Sequence, residues 1–481
     1  MKRKLITALA LILAVACGKT PDPDPIPDNK DDGLYDLSQV TVMDSGTISL
    51  EQFYQGLLQE ASSSNDDYDP ALYDYYSSLL KQAQGTQTKA ESGSMSYGWT
   101  ILRYTTKDVS GKNIECSEAL VWPISSNGSQ QARNVLIGCH VTITGDEQRP
   151  SNFTNGGVSN DVNLLATFAS PLSQSALVIL PDYEGYGATR NHHHPYCNRE
   201  VTSLQVVDGA KAGIAWYEKE KNKLADGWKS VAVGYSQGGA AAAGVYRYCR
   251  EHSESGLRLA GAICADGPYD LMATLTEYAH SGQLYMPIAA ALILKGAIDT
   301  NPRLKELGCT YADFCSPEFI RTGIFDWLKD KDVAGAQMNK QLLSALGLDP
   351  QGYAPIEMCL KPSLLAYFKD GSVDGDISAD KLQALRQCLE ENSLSYGGWM
   401  PPQASGLTFF HSTTDDVVPP INLYTMEDQW ASQSDHYSTY LYTSSALGSH
   451  TTTGNMFFIQ FCSGYIDDIL NGKWSSQHKK L

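Results

Sequence analysis

The segment Val231-Ala232-Val233-Gly234-Tyr235-Ser236-Gln237-Gly238-Gly239-Ala240 constrains this chain more than any other stretch: an apolar, strand-like run enters Gly-x-Ser-x-Gly and continues into an alanine-rich helix-like run. A serine thrust out of a sharp strand-to-helix turn sits on strained backbone and leaves no room for side chains two residues to either side. The glycines meet that demand. Gly-x-Ser-x-Gly alone is a weak pattern, because a turn in an ordinary sheet protein uses the same residues. The runs on either side supply the context that a nucleophile elbow requires. Ser236 is therefore the candidate nucleophile.

The rest of the chain repeats the strand-helix rhythm. Short apolar runs at 134–139, 176–180, 230–233 and 259–264 are separated by helical patterns, the signature of a buried parallel sheet with crossovers. Ahead of them, 97–106 and 113–122 are rich in β-formers and flank the turn Asp108-Val109-Ser110-Gly111, which predicts an antiparallel hairpin. Runs at 407–410 and 437–442 add late strands, and 456–470 predicts a closing helix. The fold class is α/β with a mostly parallel central sheet, its core formed by residues 97–271 and 401–481. Residues 272–400 lack strand alternation but carry helical patterns, at 286–298 and 382–390 among others. They predict a helical cap inserted before the late strands, over the carboxyl ends where function resides. The apolar stretch 286–298 suits either the wall of an acyl pocket or the cap's own core. Residues 34–96 are expected to be a helical N-terminal region, with helices at 49–58 and 71–84.

The chain opens Met1-Lys2-Arg3-Lys4, runs apolar from 5 to 16 and meets Cys17 after small residues, which resembles a bacterial lipoprotein signal. The apolar run is too short to span a bilayer comfortably. Residues 1–16 are expected to be the signal peptide and Cys17 the lipidated first residue. The usual leucine stands one place early, at Leu13, with Ala14 in its position. Residues 17–33, rich in proline and aspartate, cannot bury apolar surface and read as an acidic tether. Together they predict a bacterial envelope protein held by a lipid anchor at the outer membrane or cell surface.

The roughly 450 residues beyond the tether exceed one common core, so one large domain with an insertion, or two domains, is expected. A net charge of -18 argues against nucleic acid and anionic headgroups as partners, since both need a basic footprint. Eleven cysteines include Cys17, and the others show no Cys-x-x-Cys pattern, so no cysteine metal or redox site is expected. Cys309 and Cys315 are the closest-spaced candidates for a disulfide, with buried free thiols equally open.

A serine at its ordinary pKa is a poor nucleophile; a histidine must take its proton and a carboxylate must orient that histidine. Asp415-Asp416 follows the strand-like run ending in Phe410-His411, and His450 precedes the last helical run, giving the order Ser, Asp, His. The oxyanion hole needs two backbone donors. The amide of Gln237 is one, and Val141 or Thr142, after the strand at 135–139, is the other. His140, in that same loop, reads as a hydrogen-bonding residue rather than a base. Asp182 and Tyr183 suit either the pocket floor or the turn itself; His140, Tyr183 and Tyr235 are the candidates for the substrate pocket. His192-His193-His194 offers three imidazoles, but neighbours in one strand or turn point in different directions and rarely converge on one ion, so no metal site is expected.

With these residues in place the chain resembles the α/β-hydrolases, and within them the secretory lipases and esterases related to fungal lipases and the cap-bearing yeast lipase A. The resemblance rests on Leu180-Pro181-Asp182-Tyr183-Glu184-Gly185-Tyr186-Gly187, His194-Pro195-Tyr196, Asp208-Gly209-Ala210, the elbow, the stretch from Asp415 to Pro419, and Ser449-His450. It covers residue 97 to the C-terminus. It implies a helical lid and ester hydrolysis through an acyl-enzyme, with no cofactor, metal or organic. The family's Asp-x-x-Val-Pro spacing favours Asp415 over Asp416, and where such enzymes often have His-Gly this chain has His140-Val141. The expected function is a serine carboxylic-ester hydrolase of the cell envelope acting on a small-molecule, lipid or acylated-carbohydrate ester. A serine peptidase or aminopeptidase of the same fold, and a non-catalytic surface binding lipoprotein on a hydrolase scaffold, are the alternatives. Nothing in the sequence sets the ester or the oligomeric state.

Overall fold

A computed structural model describes residues 33–49, 96–124, 132–152, 176–373, 375–443 and 462–481, with single positions between them that include His450, Gly454 and Phe457. The apolar runs become strands: β1 (Val40–Ser49), β2 (Ser96–Lys107), β3 (Asn113–Ile124), β4 (Asn134–Cys139), β5 (Ala176–Pro181), β6 (Ser230–Tyr235) and β7 (Leu259–Ala265). A two-stranded ribbon in the cap, β8 (Gln283–Leu284) and β9 (Ala354–Pro355), precedes β10 (Leu407–Ser412), β11 (Tyr437–Tyr442) and β12 (His478–Lys480). The main sheet has the order β1-β2-β3-β5-β4-β6-β7-β10-β11-β12. From β5 to β12 the neighbours run parallel, and β1, β2, β3 and β5 pair antiparallel. The chain leaves β4 towards β5 and then crosses back over it to β6. The carboxyl ends of β4 and β6 therefore flank the point where strand order reverses, the place where open α/β sheets bind ligands.

Both faces of the parallel strands are covered, which is why they read as continuous apolar runs rather than alternating ones. Val231, Val233 and Tyr235 pack on one face of the sheet, and Ala232 on the other beneath α1 (Arg199–Glu220) and α2 (Gln237–Glu251). Ala241, Ala242, Ala243 and Gly244 are all buried, so small side chains let α2 sit close on the strands.

Between β7 and β10 lie α3 (Leu271–Ser281), α4 (Pro287–Thr300), α5 (Gly335–Ala345) and further helices around their own apolar cluster. Leu294, Phe314, Phe319, Leu342 and Leu364 are buried in it. Each such side chain removed from water contributes about 1.5–3 kcal/mol, so the cap has an independent packing reason to fold.

One expectation is corrected. The region 34–96 was expected to be helical, yet it contributes β1, which pairs along its length with β2 at the edge of the sheet. Most of β1 is exposed, and a register shift between Val42 and Asp44 breaks the two-residue period that would have revealed it. Of the positions described within the two expected helices, Ser49 ends β1, while Glu51, Gln52, Gln55, Asp74, Ser77, Ser78 and Lys81 are helical. Cys309 and Cys315 are not joined; every cysteine from Cys116 to Cys462 is a free thiol. The expected signal peptide, Cys17 and the tether up to residue 32 lie outside the described residues. Among the described residues no helix is long and apolar enough to cross a membrane.

Candidate active site

Ser236 stands between β6 and α2 with φ 57° and ψ -124°, a left-handed backbone that side-chain-bearing residues rarely adopt. The glycines around it have steric reasons. A Cβ on Gly234 would lie 2.0 Å from the Gly238 carbonyl oxygen, and one on Gly238 would lie 2.1 Å from the Cys139 carbonyl oxygen. A Cβ on Gly239 would meet the Ala265 carbonyl oxygen at 2.4 Å. The elbow is thus wedged between the ends of β4 and β7. The Ser236 amide donates to the Ala265 carbonyl at 2.9 Å, which pins the strained residue. Contact of Gly238 with Cys139 and His140 also brings the start of α2 against the loop that carries Val141 and Thr142.

Asp415 follows the end of β10. Its Oδ1 accepts from the amides of Val417 at 2.9 Å and Val418 at 2.8 Å, and its Oδ2 lies 2.6 Å from His450 Nδ1. With a carboxylate at Nδ1, the neutral imidazole carries its proton there and presents the Nε2 lone pair elsewhere. Asp416 contacts His450 differently, accepting from its backbone amide at 3.4 Å. Burial pushes the Asp415 carboxyl up, but the charge and hydrogen bond of His450 outweigh it and hold the group below its usual range. Burial likewise disfavours the His450 imidazolium, and the facing carboxylates of Asp415, Asp266 and Asp416 more than compensate, raising it. Tyr235 anchors the same histidine by donating from its hydroxyl to the His450 carbonyl at 2.6 Å.

Ser236 and His450 line one cavity of about 210 Å³ between core and cap. Val141 and Thr142 line it too, as does Tyr235. Its far wall is apolar: Ile288, Ala289, Leu292 and Ile293, one face of α4, together with Met286 and Val418. The opposite face of α4, including Leu294 and Ile298, packs in the cap core. The stretch 286–298 therefore both lines the cavity and packs in the cap core.

Two of the three pocket candidates are corrected. His140 and Tyr183 are buried behind the cavity wall and do not line it. Their rings stack at 3.9 Å, the Tyr183 hydroxyl donates to the His140 carbonyl at 3.3 Å, and the His140 ring nitrogens face the carbonyls of Val141 and Asp182. Burial depresses the His140 pKa to about 4, so the ring is neutral at physiological pH. Both residues brace the Val141–Thr142 loop. Asp182 similarly holds the turn, accepting from Ser117 Oγ and from the Ser151 amide.

The three adjacent histidines diverge, as their spacing predicts. His192 Nδ1 faces Glu184 at 3.1 Å, His193 Nδ1 faces Asp299 at 2.9 Å, and His194 Nδ1 lies 2.7 Å from the Glu184 carbonyl. His194 Nε2 meets Gln237 Nε2 at 2.8 Å. That contact ties the residue after Ser236 to the 185–194 segment, which Lys331 of the cap holds by donating to the carbonyls of Gly185, Arg190 and His192.

Asp266 was missed in the sequence. It ends β7 at φ 41°, its amide donates to the Phe410 carbonyl at 2.9 Å, and its carboxylate accepts from the Ser412 amide at 2.6 Å and from the Tyr442 hydroxyl. It thus clamps the ends of β7, β10 and β11 beneath Asp415. Burial raises its pKa, with the charge of His411 opposing. The one usable sign was its place, an acid at the carboxyl end of a parallel strand. Asp266, His411 and Asp415 have ligand atoms within 4.8 Å of one another. Both carboxylates are already committed to the hydrogen bonds just described, and His411 Nε2 lies 2.9 Å from the Val418 carbonyl, so this donor set is a hydrogen-bonded brace.

No family model matches the chain, and no curated protein matches it. Solved structures do. The ligand-bound form of the rice cell wall degrading esterase LipA from Xanthomonas oryzae superposes with a TM-score of 0.66 at 17% identity, covering 90% of this chain and 98% of that one. A putative hydrolase from Legionella pneumophila gives 0.61 at 15% identity over 89% and 96% of the two chains. Candida antarctica lipase A in its closed state gives 0.56 at 13% identity over 93% and 87%. The chain has the α/β-hydrolase fold.

Proposed function

From that fold, we propose that the protein is a serine carboxylic-ester hydrolase. Ser236 attacks the ester carbonyl while His450 Nε2 takes its proton; the alkoxide that forms is met by the amide of Gln237 and one from Val141 or Thr142. Collapse expels the alcohol, which takes the proton back from His450. Water then repeats the sequence on the acyl-enzyme and releases the acid. The observation that carries this reading is the Asp415–His450 pair at 2.6 Å, on the same cavity as a serine held at φ 57°. A binding module has no use for that strain. The apolar α4 wall favours an acyl chain over a peptide, and the similar esterase and lipase structures agree with an ester substrate. Loss of ester turnover in Ser236→Ala with the fold retained is the direct test.

The N-terminal sequence supports a location for this activity at the bacterial cell envelope, with the protein anchored through a lipid on Cys17.

A further inference from the structure

Between residues of α1 and α2 lies a second and much smaller cavity of about 20 Å³. Arg199, Thr202, Gln237, Tyr269 and Asn392 line it, and Pro268 lines both cavities. Four of its residues carry buried polar atoms with no hydrogen-bond partner within the protein: Gln237 Oε1, Thr202 Oγ1, Arg199 Nε and the Tyr269 hydroxyl. Gln237 is 3% exposed and Thr202 5%. Native proteins leave very few such atoms, because an unmet buried donor or acceptor is costly. Here four belong to residues that line one small cavity.

The orientation of Gln237 follows from its other contact. His194 Nδ1 faces the Glu184 carbonyl, which can only accept, so Nδ1 carries the proton and Nε2 offers a lone pair. Gln237 Nε2 donates to that lone pair, which leaves Oε1 as the end that needs a donor. Thr202 Oγ1 can donate or accept, and Arg199 Nε can only donate. The Tyr269 hydroxyl can donate as well, so the two donor and two acceptor positions of a single water match this set: it donates to Gln237 Oε1 and to Thr202 Oγ1 and accepts from Arg199 Nε and from Tyr269. The space is sufficient, since one water needs roughly 10–15 Å³.

We propose that this cavity is an internal water site whose water, with His194, fixes the Gln237 side chain and so the amide that opens α2. The water site stands on geometry alone; its consequence for turnover rests on the ester-hydrolase reading. Gln237 is the residue whose amide faces the developing alkoxide in that reading, so a loosened Gln237 weakens transition-state contacts without altering the acyl pocket.

The test is a high-resolution crystal structure of the full chain beside Thr202→Val, which keeps the volume and deletes the hydroxyl. The expected result is a solvent peak within hydrogen-bond distance of Gln237 Oε1, Thr202 Oγ1 and Arg199 Nε, lost or displaced in Thr202→Val and retained in Thr202→Ser. In kinetics on the best chromogenic ester, Thr202→Val is expected to lower kcat about tenfold at unchanged KM, with Thr202→Ser restoring it. Absence of the peak from the unaltered protein, or a Gln237 side chain turned into the cavity, overturns the proposal even if Thr202→Val does not fold. A peak in a protein without Ser236-dependent turnover supports the site while contradicting the ester-hydrolase reading.

Discussion

His450 Nδ1 lies 2.6 Å from Asp415 Oδ2, whereas Asp416 reaches the same histidine through its backbone amide at 3.4 Å. A carboxylate on the ring fixes the tautomer and stabilises the imidazolium through both charge and hydrogen bond; a carboxylate on the backbone leaves the tautomer unset and adds only its more distant charge. Asp415→Asn is expected to lower kcat by about 10³- to 10⁴-fold, and Asp416→Asn by less than about tenfold. Steady-state kinetics of the two variants decide it, and the reverse ranking would move the role to Asp416.

In the proposed mechanism the neutral form of His450 accepts the Ser236 proton. Burial alone would lower its pKa, but Asp415, Asp266 and Asp416 hold it above the ordinary 6.5. Lowering the pH through that raised value charges the ring and removes the base. The kcat/KM profile is therefore expected to be level above its midpoint and to fall on the acid side, with the midpoint above 6.5. A midpoint below that value contradicts the electrostatics described for the pair.

Much of this architecture was legible because buried parallel strands impose a plain sequence signal. The runs at 134–139, 176–180, 230–233 and 259–264 became β4 to β7 almost residue for residue. The elbow was equally plain, since its steric demands are met only by glycine at 234 and 238. What escaped were features set by three-dimensional neighbours. β1 is a polar edge strand, β12 is a three-residue exposed strand, and neither carries a hydrophobic period. Asp266 gains its role only when three strand ends meet. His140 and Tyr183 sit in the right loops, but their side chains turn away from the cavity, a choice of direction that residue type does not encode.

In the proposed reading, the face of α4 on the cavity sets the space for the acyl chain. Leu292 is buried there, and Leu292→Trp inserts a ring into a cavity of about 210 Å³. We expect kcat/KM for long-chain chromogenic esters to fall at least about tenfold relative to acetate esters. An unchanged chain-length profile would place the acyl chain elsewhere.

Lipidation at Cys17 has its own test. In a bacterial host that processes lipoproteins, Cys17→Ser is expected to shift the protein from the membrane fraction to the soluble envelope fraction, with loss of fatty-acid labelling. Membrane retention of that variant equal to the unaltered chain rules out the anchor.

Hydrolysis of chromogenic esters of graded acyl length by the full chain, beside Ser236→Ala and with aminoacyl anilides included, tests the central claim most directly. Ester turnover is expected that Ser236→Ala reduces by at least about 10³-fold at an unchanged melting temperature, with the anilides cleaved far more slowly. Ester turnover undiminished in Ser236→Ala, or anilide cleavage exceeding ester cleavage, would contradict it.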